Sequence, residues 1–293
     1  MLTSNVDDVA LIFEGGGMRA SYSSGVLAAL LEAGVFCDWV GGISAGSSCT
    51  ANYLARDVER ARKSFVDFVN EPSFGDWKTF LQGKGMFNAE WIYEHTSMPG
   101  QPLPYDFDTF LGNPARFRIG AVRCEDGEMF YWGRDDVPDM PALMKRVRAS
   151  STMPLLMPWT SIDGVDYCDG ALGPSGGIAL DAARAEGYER FLVVLTRERG
   201  YRKPPAKLPR VHHALLRKYP AVADALLQRP ENYNQTLDEL LDLEAEGQAL
   251  LVFPSWMPIG NSERDVTKLQ AMYDAGYGQA RRTMGRILEF CGH

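Results

Sequence analysis

The sequence predicts an α/β fold built on a mostly parallel central sheet. Three observations lead there. Short apolar segments at residues 9–13 (VALIF) and 190–196 (RFLVVLT) have the pattern of strands buried on both faces. In the first sixty residues such strands alternate with helical segments, the rhythm of parallel βαβ units. Usage is that of a globular chain, 45% apolar and 23% charged, and 293 residues allow one or two domains.

The elements follow in order. After the strand at 9–13 come Gly15, Gly16 and Gly17, then a helix over 21–33 with Gly34 as its stop. Residues 37–42 form a second strand, followed by a helix rich in small residues, "SAGSSCTANYLARD". A helix is predicted over 58–70 and an irregular, aromatic-rich stretch over 71–113. Segments 116–123 and 128–134 read as a strand pair, 143–148 as a helix. Asp163-Gly164 marks a two-residue hairpin turn inside 161–169. A helix over 178–186 precedes the strand at 190–196. Beyond Tyr201 the composition shifts: Pro204 and Pro205 interrupt the chain, 211–246 is mostly helical, and 250–253 returns as a last strand. In the tail, Val266, Leu269, Tyr273, Tyr277, Ala280, Met284 and Ile287 recur at helical spacing, as on a helix docked against a core.

Charge and composition exclude several functions. Lys and Arg number 30 against 38 Asp and Glu, a net charge of −8, so no nucleic-acid partner is expected and no broad anchor to anionic lipid. The five cysteines are scattered without a CxxC and read as free packing thiols of a reducing compartment. The four histidines form no zinc-binding pattern, and neither metal nor cofactor is expected. The opening "MLTSNVDDVALIF" lacks a signal-peptide pattern, and no run of eighteen apolar residues exists. A cytoplasmic protein is expected.

Two glycine-rich turns carry the chemistry. Gly42-Ile43-Ser44-Ala45-Gly46 is a G-x-S-x-G sequence between a strand and a helix, the setting in which a sharp turn projects a nucleophilic serine. Gly15, Gly16 and Gly17 weaken a fold unless something must approach the backbone closely. At a strand-to-helix turn their N–H groups can hold an oxyanion, and Arg19 beside them can brace the loop or favour an anionic substrate. The same loop fits G-x-G-x-x-A, a dinucleotide fingerprint. That reading wants an acidic residue at the end of the second strand, whereas Asp38 stands at its start.

A nucleophilic serine needs a base. None of His95, His212, His213 and His293 is well placed by sequence. Asp169, at the end of the hairpin in Asp169-Gly170-Ala171, is the carboxylate alternative, relying on burial and close contact because a free aspartate, with a pKa of about 3.9, is a weak base. An ordinary turn residue remains the other reading of Asp169.

"EGGGMRA", "GISAGS" and "DGA" occur here in the order seen in patatin-like phospholipases, and "RASSTMPLLMP" between them resembles a further segment of that family. The resemblance spans about residues 9–196. It implies a three-layer α/β/α patatin-like fold and a lipid acyl hydrolase of the phospholipase A, lysophospholipase or carboxylesterase type. Carried over, Ser44 is the nucleophile, Asp169 the general base, and Gly15, Gly16 and Gly17 line the oxyanion hole with Arg19 beside it. The chain looks most like bacterial members with a helical extension: a catalytic domain over 1–200 and a helical region over 201–293 packed on it. Glu14, Ala20 and Ala171 depart from the residues most frequent in the family. The expected partner is a lipid or other acyl ester, with transient, peripheral contact to a membrane surface. Two alternatives stand beside this: a Ser-His-Asp esterase, and a lipid-binding protein without turnover. Phe74, Trp77, Phe80, Met86, Phe87, Trp91 and Tyr93 are expected either to cap the serine and form an acyl pocket or to pack as a satellite core.

Overall fold

In the computed structural model, which describes residues 2–292, the sheet contains β1 (Val9–Phe13), β2 (Trp39–Ile43), β3 (Arg116–Arg123), β4 (Met129–Trp132), β5 (Thr160–Ile162), β6 (Val165–Asp169), β7 (Arg190–Val194) and β8 (Ala249–Val252). Hydrogen-bonded neighbours run β5-β6-β3-β2-β1-β7-β8, with β4 also paired to β3. The run from β3 to β8 is parallel, and β4, β5 and β6 are antiparallel. This is the mostly parallel α/β sheet that the apolar segments predict.

Helices α1 (Ala20–Glu32), α2 (Ala45–Leu54), α3 (Val58–Phe65), α4 (Trp77–Leu81), α5 (Phe107–Gly112), α6 (Met140–Ser150), α7 (Leu180–Ala185), α8 (Pro209–Leu215), α9 (Pro220–Ala245) and α10 (Val266–Phe290) connect and cover the strands. Side chains alternate across a strand, so β1 serves two cores at once. Val9, Leu11 and Phe13 pack with α1, α2 and α10, while Ala10 and Ile12 pack with α7 and α9. The result is helix, sheet and helix in three layers.

Where boundaries differ from expectation, local chemistry explains it. The helix predicted over 58–70 ends at Phe65 and resumes as a 3-10 turn at Phe68–Asn70. The stretch 71–113 is not wholly irregular: Asp76 and Asp106 cap α4 and α5 by accepting backbone N–H bonds. The segment 211–246 divides at Tyr219, because Pro220 suits the first turn of α9 but not the interior of a longer helix. At the hairpin, Asp163 and Gly164 both adopt positive φ (52° and 83°), as its tight turn demands.

The tail helix α10 docks on α1 through two glycines. A Cβ on Gly276 would overlap the carbonyl oxygen of Tyr22, and one on Gly25 that of Tyr273. The helices therefore approach backbone to backbone, and Leu269, Met272, Ala280 and Ile287 are buried along α10. All five cysteines are free and buried.

Candidate active site

The register of β3 explains how two distant residues meet. β2 pairs with β3 up to Ile43 opposite Gly120, and β6 pairs antiparallel so that Asp169 lies opposite Ala121. β4 pairs with Ile119 to Val122, overlapping both, so it takes one edge of β3 and leaves β2 and β6 to share the other. The C-terminal ends of β2 and β6 thus face each other across the Gly120–Ala121 peptide. The next residue after β2 is Ser44; the last residue of β6 is Asp169.

Ser44 Oγ donates a hydrogen bond to Asp169 Oδ2 at 2.8 Å. Ser44 has φ 56° and ψ −126°, an unusual backbone for a residue with a side chain, with a cost of about 1–3 kcal/mol. It stands at the N-cap of α2 yet makes no side-chain capping bond, which leaves Oγ to the carboxylate. The flanking glycines permit the turn: a Cβ on Gly46 would overlap the carbonyl oxygen of Phe13, and one on Gly42 that of Gly46.

The C-terminal end of α6 and the turn that follows it brace both residues. Ser150 Oγ accepts the N–H of Ser44 at 2.8 Å and donates to the carbonyl of Gly120 at 2.6 Å. Two residues on, the carbonyl of Thr152 accepts the N–H of Asp169 at 2.8 Å. Asp169 Oδ1 accepts from the Ala171 N–H at 2.9 Å. Burial raises the Asp169 pKa. Arg229, the Ala171 N–H, the Ser44 hydroxyl and Lys203 oppose that rise without cancelling it.

The glycine loop lies against the serine, and its amides divide. Gly15 lines the cavity, but its N–H donates to the carbonyl of Gly177 at 3.0 Å, so the convergence of three amides expected from sequence is corrected at Gly15. Among the described residues, the N–H groups of Gly16 and Gly17 donate to no protein acceptor. Gly17 needs its positive φ of 57°, and a Cβ there would overlap the carbonyl of Asn261, which itself accepts the Met18 N–H at 3.0 Å. Glu14 is buried, and its Oε2 accepts the Thr196 N–H at 2.5 Å, joining the ends of β1 and β7 below the loop. Arg19 is buried at the start of α1 with its Nε unpartnered, and burial and then Arg197 lower its pKa.

The lining of the cavity that holds Ser44 and Asp169 includes the apolar side chains of Phe65, Phe68, Leu103, Met144 and Val147. Of the aromatic stretch, Phe74, Phe87 and Tyr93 reach this cavity. Trp91 stacks on Phe68 at 5.4 Å instead, and Met86 packs against the core. Trp77 is 68% exposed and turned against Phe80, away from the serine, because α4 is a single solvent-facing turn and a half.

Among the described residues, no histidine lines this cavity. His95 is exposed near Glu90, and His213 bonds to Asp224 Oδ1 at 2.9 Å on α8. His212 also lies on α8, and His293 lies outside the described residues. Asp38 accepts from Tyr188 and Arg116 at the far end of β2, which removes the acidic partner a dinucleotide ribose needs. Sequence reasoning missed Ser150, Lys203 and Arg229. Ser150 lies inside the quoted "RASSTMP" segment but carried no distinguishing signal, and Arg229 is one arginine among many on a helical segment.

Residues 11–180 match the patatin-like phospholipase family, and residues 219–292 match a domain of unknown function (DUF6363). The uncharacterized protein YjjU of Escherichia coli K12 is 27% identical over 193 residues, covering 64% of this chain and 52% of YjjU, so the chain spans about half the length of that relative. Among solved structures, VipD from Legionella pneumophila aligns over 97% of this chain and 68% of its own, with 11% identity and a TM-score of 0.49. The match over residues 11–180 takes in more than half of the sequence, with the G-x-S-x-G turn, the glycine loop and Asp169 all inside it, and the chain belongs to the patatin-like phospholipase family.

Proposed function

We propose that this protein hydrolyses carboxylic ester bonds of lipids with Ser44 as nucleophile and Asp169 as general base. The observation that carries the reading is the 2.8 Å hydrogen bond from Ser44 Oγ to Asp169 Oδ2 on the floor of a half-apolar cavity. Ser44 Oγ attacks the acyl carbon as its proton passes to Asp169. The oxyanion is held by the free N–H groups of Gly16 and Gly17 and by that of Ala45, the residue after the nucleophile. Collapse expels the alcohol, which takes the proton from Asp169 and leaves an acyl-serine. Water then gives a proton to Asp169 and attacks, the fatty acid departs, and Ser44 recovers its hydrogen. The acyl chain lies along the wall of Phe65, Phe68, Phe87 and Val147.

In this reading residues 1–200 supply the nucleophile, base and glycine loop, and residues 201–293 close one side of the same unit through Asn261 and Arg229. No helix among the described residues is long and apolar enough to cross a membrane. Leu155 and Leu156 are exposed beside Met153 and Met157 of the cavity wall, an apolar lip suited to brief, peripheral contact with a lipid surface in the cytoplasm. The test is covalent labelling by a fluorophosphonate together with turnover of a p-nitrophenyl acyl ester. Labelling at Ser44, with turnover lost in Ser44→Ala and Asp169→Asn and kept when all four histidines are replaced, is expected. Turnover that depends on a histidine, or a folded protein that is neither labelled nor active, overturns it.

A further inference from the structure

Arg19 and Arg229 line the cavity that holds Ser44 and Asp169, and two further cations, Arg197 and Lys203, both lie against the ring of Tyr201. Arg19 comes from the start of α1, Arg197 and Lys203 from the chain after β7, and Arg229 from α9, inside the domain of unknown function. The Nε atoms of Arg19, Arg197 and Arg229 are buried and have no hydrogen-bond partner. Among the described residues none of the four forms an ion pair, although their sequence neighbours Arg199 and Arg202 pair with Glu244 and Asp238. The group is held in place by other means. The Lys203 backbone is clamped to Asn234 of α9 by bonds of 2.9 and 3.0 Å, and its Nζ lies 4.3 Å from the centre of the Tyr233 ring. Arg197 lies 4.5 Å above the Tyr201 ring.

Like charges collected in a partly buried space disfavour one another's charged forms. Burial, together with Arg229, Arg19 and Arg197, outweighs Glu14 and pulls the Lys203 ammonium down to about 8. Glu14 is the carboxylate that acts most on Arg19 and Lys203, and Asp169 is acted on by Arg229 and Lys203. The two carboxylates that act on these cations are already engaged, Glu14 with the Thr196 N–H and Asp169 with Ser44. The imbalance matches a dianion. Guanidinium forks favour planar pairs of phosphate oxygens, and a choline or ethanolamine headgroup would bring a fifth cation to the same place.

We propose that Arg19, Arg197, Lys203 and Arg229 bind a phosphate monoester group, and that the acyl ester cleaved at Ser44 carries that group. The binding claim stands alone; the substrate claim rests on the hydrolase reading above. Arg19 and Arg229 line the same cavity as Ser44 and Asp169, so phosphate bound here lies close to the attacked carbonyl, as in an acylglycerol phosphate.

Two measurements on the full chain separate the claims. In the first, glycerol 3-phosphate and glycerol are titrated into the Ser44→Ala protein by calorimetry. Glycerol 3-phosphate is expected to bind, more weakly as salt rises, with a Kd raised about tenfold in Arg229→Gln and in Lys203→Met and largely restored in Arg229→Lys. Melting temperatures establish that each variant is folded. Absent binding, or binding indifferent to these substitutions, overturns the subsite. In the second, wild-type kcat/KM is compared for a 1-acylglycerol 3-phosphate, the matching 1-acylglycerol and the matching 1-acylglycerophosphocholine. A preference for the phosphate monoester of about tenfold or more, collapsing in Arg229→Gln, is expected. Equal values overturn the substrate claim and leave the anion as a ligand of another kind. Turnover of none of the three esters, or of any other, with binding intact, overturns the hydrolase reading while the subsite stands.

Discussion

Ile43 and Asp169 lie opposite consecutive residues, Gly120 and Ala121, along one edge of a single strand, though they are far apart in sequence. One strand arrives parallel and the other antiparallel, so their ends abut, and the hydroxyl of Ser44 reaches the carboxylate. Ser150 and Thr152, from one turn, fix the backbone on each side of the contact.

The brace at Ser150 gives the first prediction. Ser150→Ala removes the acceptor of the Ser44 N–H and the donor to Gly120, leaving buried backbone groups unpaired. A loss of about 1–3 kcal/mol in unfolding free energy is expected, with kcat reduced more than KM, because the serine is no longer held in its turn. Chemical denaturation and ester kinetics check it; an unchanged kcat sinks the bracing role.

The raised pKa of Asp169 gives the second. Only the carboxylate can take the serine proton, so the acidic limb of kcat/KM should lie above the ordinary aspartate value of about 3.9. Arg229 favours the charged form, so Arg229→Gln should move that limb to higher pH. A pH–rate profile that stays in place in this variant contradicts the pairing.

Stability should run opposite to activity at the same residue. The folded-state pKa of Asp169 exceeds its unfolded value, so above the unfolded value the folded chain holds the proton more tightly and stability falls as pH rises through this window. Asp169→Asn should therefore melt higher than wild type at pH 7, with the gap narrowing as pH falls toward the unfolded value. A lower melting temperature at pH 7 would refute this.

The acyl wall gives the fourth. Phe87 reaches the cavity and Trp77 does not. Phe87→Ala should shift chain-length preference across a series of p-nitrophenyl esters, toward longer chains, while Trp77→Ala leaves the preference alone. An altered preference in Trp77→Ala would mean that α4 moves over the site.

The contact between α1 and α10 gives the fifth. Gly276→Ala places a methyl group against the Tyr22 carbonyl and should cost about 1–3 kcal/mol. Gly285→Ala, on an open face of the same helix, should be neutral or stabilise by up to about 1 kcal/mol. Urea denaturation of the pair tests whether close approach, rather than helix propensity, governs this interface.

Much of the fold was legible because its central strands are buried on both faces and read as unbroken apolar runs. Val9–Phe13 and Arg116–Arg123 have the bounds expected from sequence. The hairpin was legible at Asp163-Gly164 because positive φ at both positions is a strong local demand. The stretch from 71 to 113 was not, since its short helices depend on single caps and on aromatic packing rather than on periodicity. At the site, Ser44, Asp169 and the glycine loop were marked by turn chemistry. The commitment of the Gly15 amide to Gly177 was not, because a long-range backbone hydrogen bond leaves no trace in residue type.

The sequence by itself determined where the sharp turns fall, which strands are buried, and which serine, carboxylate and glycines stand at strand ends. These are local properties, set by steric limits on φ and by the cost of exposing apolar surface. Only the tertiary structure decided that the ends of β2 and β6 meet on one edge of β3, that Ser150 braces the serine, and that Arg19 and Arg229, from opposite ends of the sequence, line one cavity with them. The reason is range: hydrogen bonds and Coulomb forces act between residues brought close by packing, whatever their separation along the chain.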